Sequence, residues 1–212
     1  MLDRLRGGVT RVVTPVAKAL LRAGVSPDAV TIAGALAVVA AALWFLSRGQ
    51  WVVGPLVLGA LVLTDLLDGT MARLSGRTSA WGAFLDSTLD RFGDAAIFTG
   101  VLLGLVAAEE HLAAGLALAC LVLGSIVPYA RARAEGLGMT AAVGIAERAD
   151  RLAAVLVATF AVGLGAPLIV LTVVLGLLAV AALVTVVQRM VHVHRQATAP
   201  PTPPAAPSDE ET

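Results

Sequence analysis

Long apolar stretches separated by short polar links run along most of the chain and predict a bundle of membrane-spanning helices. A helix needs about 20 apolar residues to cross the hydrocarbon core of a bilayer. Stretches of this kind predict six spans, at approximately 29–46, 51–74, 81–108, 112–133, 151–162 and 167–190. The pattern therefore indicates an all-α integral membrane protein with one six-span domain at residues 25–196.

The two ends of the chain follow a different pattern. Residues 1–24 carry basic residues on one helical stripe and apolar residues on another, which predicts an amphipathic helix at the cytoplasmic membrane surface. The alternative for this segment is a charged face in water with no role at the lipid. Residues 197–212 are rich in proline and end in an acidic cluster, a composition that predicts a disordered tail.

Composition and charge agree with a membrane location and add an orientation. The mean hydropathy is +0.88, and only 14% of the residues are charged, which excludes an ordinary soluble domain of this size. Lysine and arginine collect at the cytoplasmic ends of spans. With both termini inside, Arg48 is the only basic residue at a predicted outer link. We therefore expect a multi-pass cell-membrane protein with cytoplasmic termini.

Four aspartates lie within the second and third predicted spans, where unpaired carboxylates are costly. Asp65 and Asp68 are three residues apart, and Asp86 and Asp90 are four apart, so each pair shares one helical face. Two helices joined by a short link run antiparallel, which lets the four carboxylates converge near the cytoplasmic end. Hard oxygen ligands in this number suit Mg²⁺ or Mn²⁺. The sequence therefore predicts a site for two metal ions.

The possible partners of the aspartates and the small residues beside them both bear on the predicted metal site. Ion pairing within the bundle is the alternative role for the aspartates, with Arg73 and Arg91 as partners, but two arginines cannot neutralise four carboxylates. Gly69, Ala72 and Gly82 lie beside the aspartates, where small residues let a bulky ligand approach the backbone. Small residues in membrane helices also serve helix packing. Together with the acids, these small residues favour a nucleotide-binding site.

These residues resemble the signature of the CDP-alcohol phosphotransferase family, D-x2-D-G-x2-A-R-x8-G-x3-D-x3-D. Each specified position is present, as Asp65, Asp68, Gly69, Ala72, Arg73, Gly82, Asp86 and Asp90. The hydropathy pattern is similar to that of the family along nearly the whole chain except the tail. The resemblance implies a six-span enzyme, usually a homodimer embedded among membrane lipids, that transfers a phosphatidyl group from CDP-diacylglycerol to an alcohol and releases CMP. We expect no nucleic-acid partner.

The resemblance also implies roles for individual residues. Asp65, Asp68, Asp86 and Asp90 would bind the metal ions, and Asp90 would also act as general base on the acceptor hydroxyl. Contacts to the CDP moiety would come from Gly69, Ala72, Arg73 and Gly82. Asp28 and Thr31 resemble a further nucleotide-side segment of the family, although either residue could instead cap the first helix.

The acceptor is inferred from arginines outside the signature. Basic residues lie near the ends of the last three predicted spans, and guanidinium groups suit phosphate, which favours a phosphorylated acceptor. These arginines could also be markers of topology or contacts to lipid headgroups. The runs around Tyr129, Glu147 and Gln188 resemble those of the actinobacterial phosphatidylinositol-phosphate synthases, which use inositol phosphate. The acceptor-phosphate residues implied by that resemblance are Arg131, Arg148 and Arg189.

Several points depart from this subfamily or stay open. Pro128 stands where a serine is expected, and Arg131 stands where lysine is common. Phosphatidylglycerophosphate synthases have similar basic runs, so glycerol 3-phosphate is the alternative acceptor. A cation-coupled transporter is a more distant alternative, but it would spread its acids along a path through the membrane. Here the four aspartates lie on adjacent predicted helices.

Overall fold

The computed structural model of the protein describes residues 13–62, 65–76, 79–145 and 147–198, without the side chains of residues 65, 66 and 68. This part of the chain is helical, with no β-strand. Residues 13–22 form the described part of helix α1. The helices that follow are α2 (Pro27–Phe45), α3 (Val53–Val62), α4 (Asp65–Ser75), α5 (Ala80–Ala107), α6 (His111–Glu135), α7 (Arg148–Gly163) and α8 (Ile169–Thr198).

Most predicted spans correspond to single helices, whose ends differ from the predicted ones by one to eight residues. The described residues of the second span lie in α3 and α4, and residues 63 and 64 between these two helices lie outside the description. The prediction for residues 1–24 lies outside the described chain up to residue 12, and so does the predicted tail from residue 199 onward. Among the described helices, three are long and apolar enough to cross a membrane, namely Pro27–Arg48, His111–Glu135 and Ile169–Thr198. The protein is therefore an all-α integral membrane protein.

Helices α2 and α5 pack closely together, and glycines on α5 make that approach possible. A Cβ atom on Gly100 would lie 2.5 Å from the carbonyl oxygen of Ala42, and one on Gly104 would overlap the carbonyl oxygen of Leu46. Backbone therefore packs on backbone, as small residues allow in membrane helices. Positions farther along α2 meet positions farther along α5, so the two helices run parallel and begin at the same side of the bundle.

The other helices are arranged around this pair. Helix α5 also packs against α6, and α6 packs against α8. Helices α3 and α4 both contact α2, while α7 contacts α3 and α8. The buried core is built of small and branched apolar side chains from these helices, including Leu46, Leu105 and Leu175. This packing brings the N-terminal end of α7 close to the middle of α5.

The link between α6 and α7 is tied to the last helix at three points. The side-chain oxygen of Gln196 accepts a hydrogen bond from the Thr140 amide at 2.9 Å. The Nε of Arg189 donates to the Val143 carbonyl at 2.9 Å, and the Thr185 hydroxyl accepts from the Ile145 amide at 3.3 Å. These bonds hold residues 140–145 against α8.

Candidate functional site

Two of the predicted metal ligands, Asp86 and Asp90, lie one turn apart on α5 and share a face. Asp86 is exposed, and the Asp90 side chain is 23% exposed. Asp65 and Asp68 lie one turn apart on the backbone of α4, but their side chains are outside the description. Among the described side chains, no three carboxylates, histidines or cysteines come close enough to bind a metal ion. The predicted convergence of all four aspartates therefore stays a prediction.

The donor types nevertheless fit a divalent cation. Aspartates at a spacing of three or four residues present their carboxylates on one helical face, and carboxylate oxygen is the ligand that Mg²⁺ and Mn²⁺ prefer. Asp86 is accessible, and a half-buried carboxylate such as Asp90 requires a cation nearby. In this structure, an arginine side chain supplies that positive charge.

Arg148, at the first residue of α7, forms ion pairs with two acids of α5. Its Nη1 lies 2.9 Å from Oδ1 of Asp90, and its Nε lies 2.7 Å from Oδ1 of Asp94. Arg91 lies near the same two acids, at 3.9 Å from Asp90 and 3.6 Å from Asp94. The sequence offers Arg91 as a partner of Asp90, whereas the shorter ion pair with Arg148 has no local sequence signal. The residue predicted as base and one predicted to bind the acceptor phosphate are thus in direct contact.

Two of the residues predicted to contact CDP are brought together at the start of α5. The Ser79 hydroxyl caps α5 by accepting from the Gly82 amide at 3.0 Å. A Cβ atom on Gly82 would lie 3.9 Å from Oδ1 of Asp28 on α2, so little separates this carboxylate from the Gly82 backbone. The close approach follows from the parallel packing of α2 and α5, and a larger residue at position 82 would narrow the space between them.

The other predicted CDP contacts lie on α4 and α2. Gly69, Ala72 and Arg73 share α4, where the guanidinium of Arg73 donates to the Thr70 hydroxyl at 3.3 Å. Thr31 lies on α2, and its hydroxyl donates to the Pro27 carbonyl at 3.1 Å.

The capping alternative for Asp28 and Thr31 is wrong. The N-cap of α2 is Ser26, whose hydroxyl accepts a hydrogen bond from the Ala29 amide at 3.2 Å. Pro27 occupies the first helical position, which favours the preceding residue as the cap. Asp28 and Thr31 therefore lie inside the helix, and their side chains do not satisfy its free N-terminal amides.

A cavity of about 470 Å³ lies between α5, α6, α7, α8 and the link before α7, and we call it the basic cavity. Its described charged residues are five arginines and one acid, namely Arg91, Arg131, Arg148, Arg151, Arg189 and Glu147. All three arginines predicted to bind the acceptor phosphate therefore line one cavity. Because Arg148 also contacts Asp90, this cavity adjoins the acidic face of α5.

The three predicted arginines differ in how firmly they are held. Arg189 donates from Nε to the Val143 carbonyl and from Nη1 to the Val127 carbonyl, which fixes its side chain in the wall. Arg131 is more exposed and pairs with Glu135 of the same helix at 2.8 Å. The arrangement places guanidinium groups on several sides of the cavity, and such groups bind phosphate through paired hydrogen bonds.

Arg151 and Arg91 also line the basic cavity, and neither is among the three arginines predicted from the sequence to bind the acceptor phosphate. Arg151 is one of the basic residues near the span ends that favour a phosphorylated acceptor. Its spacing of three residues from Arg148 is the sequence signal that places both on one face of α7. Arg91 was considered only as a partner for the aspartates.

Comparisons with known proteins identify the family of the chain. Residues 24–187 match the family model for CDP-alcohol phosphatidyltransferases. The chain is 46% identical over 198 residues to the phosphatidylinositol phosphate synthase of Streptomyces avermitilis, covering 90% of this chain and 81% of that protein. It is 47% identical over 203 residues to the enzyme of the same name from Cutibacterium acnes, covering 92% and 98%.

Solved structures are also similar along most of the chain. The crystal structure of Mycobacterium tuberculosis phosphatidylinositol phosphate synthase with CDP-DAG bound is 38% identical with a TM-score of 0.84, covering 91% of this chain and all of that one. The same mycobacterial enzyme in complex with manganese and citrate has a TM-score of 0.83 at 38% identity, covering 90% and 93% of the two chains. The resemblance that the signature indicated is confirmed.

Proposed function

Because the chain belongs to the CDP-alcohol phosphatidyltransferase family, we propose that it is a phosphatidylinositol-phosphate synthase. It transfers the phosphatidyl group of CDP-diacylglycerol to inositol 1-phosphate and releases CMP. The relatives and solved structures at 38–47% identity carry this name, and one of them was solved with CDP-DAG bound. The observation in this chain that supports the assignment best is the basic cavity, which adjoins Asp90 and suits a phosphorylated acceptor.

The aspartates of α4 and α5 hold the divalent metal in this proposal. Asp65, Asp68, Asp86 and Asp90 are the ligands, and the expected load is two ions, Mg²⁺ or Mn²⁺. A manganese complex of the mycobacterial enzyme supports a divalent metal. When bound, the metal supplies charge neutralisation at the pyrophosphate and at the CMP leaving group.

The residues around the metal site bind and orient the two substrates. Gly69, Ala72, Arg73 and Gly82, with Asp28 and Thr31 on α2, form the seat for CDP. The closeness of Asp28 to Gly82 supports one CDP-binding site to which both α2 and α5 contribute. Asp90 takes the proton from the acceptor hydroxyl as it attacks the phosphorus of the diacylglycerol-bearing phosphate, and the bond from that phosphorus to CMP breaks.

The acceptor phosphate occupies the basic cavity, with Arg131, Arg148 and Arg189 as its ligands. Arg148 spans the two parts of the site, because it contacts Asp90 and also lines the cavity. An acceptor held there by its phosphate has its remaining hydroxyls close to the carboxylate that removes the proton. Positioning of this kind lowers the barrier by converting a bimolecular encounter into an oriented one.

The membrane arrangement is part of the proposal. Six spans are obtained when α3 and α4 together make the second crossing and when α5 and α7 cross as well. Helix α5 has 28 residues, more than the about 20 that a crossing needs. Both termini and the active site face the cytoplasm, residues 1–24 lie as an amphipathic helix on that surface, and the functional unit is a homodimer.

The reaction class is tested by release of CMP from CDP-diacylglycerol by the purified full chain in detergent. We expect release that requires both a phosphorylated acceptor and a divalent cation, and that stops when the cation is removed by a chelator. Asp90→Asn is expected to abolish transfer and to retain binding of CDP-diacylglycerol. Turnover that persists after complete chelation would rule out the metal-dependent mechanism.

A further inference from the structure

Asp94, on α5, is a partly buried acid to which the proposed function gives no role. It lies four residues after Asp90, so the helical repeat places both carboxylates on one face of α5. The side chain of Asp94 is 15% exposed, less than the 23% of Asp90. A carboxylate at this depth in a membrane bundle is rarely kept without a partner or a function. Its contacts identify the partner.

The partner of Asp94 is Arg148, and all three guanidinium nitrogens of this arginine contact the same turn of α5. Nε donates to Oδ1 of Asp94 at 2.7 Å. Nη1 lies 2.9 Å from Oδ1 of Asp90, and Nη2 donates to the Asp90 backbone carbonyl at 3.5 Å. Because a guanidinium is planar, contacts through three nitrogens fix its plane as well as its position. Each Nη nitrogen carries two N–H groups, so one on each stays available to a ligand.

Asp94 lies behind the arginines when they are viewed from the basic cavity. Arg91 and Arg148 are among the described residues that line this cavity, whereas Asp94 is not. Oδ2 of Asp94 lies 3.6 Å from Nη1 of Arg91, and both residues line a separate small pocket of about 30 Å³. A carboxylate on this side offsets part of the repulsion among the gathered arginines. Asp94 can therefore affect a ligand in the basic cavity only through the arginines that it holds.

We propose that Asp94 is a positioning residue for the acceptor, because it holds Arg148 by Nε so that the guanidinium meets the acceptor phosphate in one orientation beside Asp90. This inference rests on the proposed function, in which Arg148 binds that phosphate and Asp90 removes the proton. Without Asp94, the guanidinium is held mainly through Nη1 and can turn about that one contact. The acceptor then loses part of the orientation that brings its hydroxyl to Asp90.

The test measures KM for inositol 1-phosphate and for CDP-diacylglycerol separately, from initial rates of CMP release by purified full-length variants. Asp94→Asn keeps the side-chain volume and removes the charge. We expect it to raise the acceptor KM by about tenfold, since a charge-assisted hydrogen bond that orients Arg148 is lost. The KM for CDP-diacylglycerol should stay within about twofold, because the residues predicted to bind CDP lie on α2, on α4 and at the start of α5.

Asp150→Asn is the matched control, because it removes a carboxylate charge from the start of α7 without touching Arg148. The Asp150 side chain accepts a hydrogen bond from the Glu147 amide at 3.4 Å and belongs to the cap of α7. We expect both KM values of this control to stay within about twofold of wild type. A rise in acceptor KM as large as that of Asp94→Asn would overturn the proposal, since any change at the start of α7 would then have the same effect.

A second variant, Asp94→Glu, keeps the charge and shifts the carboxylate by one methylene group. It is expected to raise the acceptor KM by about threefold, less than Asp94→Asn does, and to leave the donor KM unchanged. It keeps the proposal testable if Asp94→Asn does not fold. An acceptor KM at the wild-type value in the Asp94 variants that fold would overturn the proposal.

A double variant tests whether Asp94 acts through Arg148. In the Arg148→Met background, Asp94→Asn should raise the acceptor KM by less than about twofold, because the side chain that Asp94 positions is already absent. An added increase as large as the one in the wild-type background would overturn the proposal, since Asp94 would then act by another route.

The results separate a failure of this inference from a failure of the proposed function. A wild-type enzyme that uses glycerol 3-phosphate and ignores inositol 1-phosphate would overturn the proposed acceptor, and the same KM series on glycerol phosphate would still test Asp94. An active wild-type enzyme with an unchanged acceptor KM in Asp94→Asn would overturn this inference alone. Equal increases in both KM values would do so as well, since they indicate a structural role only.

Discussion

Loss of the Arg148 side chain, by Arg148→Met, should destabilise the protein by about 2 kcal/mol. Arg148 joins α7 to α5 through ion pairs of 2.9 Å to Asp90 and 2.7 Å to Asp94, with side chains only 15–31% exposed. An exposed ion pair contributes up to about 1 kcal/mol. Removing one partner of a fully buried pair costs about 3–5 kcal/mol. The value for Arg148 lies between these, because Arg91 stays near both acids and offsets part of the loss.

The free energy of unfolding in mixed micelles, from titration with SDS, measures this effect. Arg131→Met is the matched control, because Arg131 pairs with Glu135 where both side chains are more than half exposed. We expect the control to lose less than about 1 kcal/mol. If Arg148→Met loses no more than Arg131→Met, the link between α7 and α5 does not contribute to stability, and the reasoning from burial is wrong.

Three further outcomes are expected. Gly100→Ala places a methyl group 2.5 Å from the Ala42 carbonyl oxygen, so it should lower the free energy of unfolding by about 1–3 kcal/mol. The control Gly115→Ala adds a methyl group where no atom of another helix lies within 4 Å, and it should leave the free energy of unfolding unchanged. Equal values for the two variants would contradict the close packing of α2 and α5. Asp86→Asn should weaken Mn²⁺ binding by about tenfold or more in calorimetry, and unchanged affinity would remove Asp86 from the metal ligands. Asp90→Asn should abolish CMP release, and normal turnover would remove Asp90 from the role of base.

The helices were predictable because their signals are local. Apolar stretches of sufficient length indicate membrane helices, and a serine before the helix marks the start of both α2 and α5. Asp28 and Thr31 are candidate caps in the sequence because both lie near the start of α2, yet the proline at position 27 makes Ser26 the cap.

The site was predictable in its residue types and less so in its contacts. The spacing within α5 correctly places Asp86 and Asp90 on one face, since the helical repeat sets that relation. The pairing of Asp90 with Arg148 joins residues 58 positions apart, and it depends on where the bundle places the start of α7 relative to α5. The hydrogen bond from Arg151 to the Gly124 carbonyl likewise joins two different helices, α7 and α6. Contacts of this kind follow from tertiary packing, which no local pattern contains.

Competition between two acceptors tests the central claim most directly. The purified chain is given CDP-diacylglycerol, Mg²⁺ and equal concentrations of inositol 1-phosphate and glycerol 3-phosphate, and the lipid products and CMP are quantified by mass spectrometry. We predict phosphatidylinositol phosphate as the main product, in amounts equal to the CMP released. Phosphatidylglycerophosphate as the main product would contradict the proposed acceptor, and an absence of CMP would contradict the reaction itself.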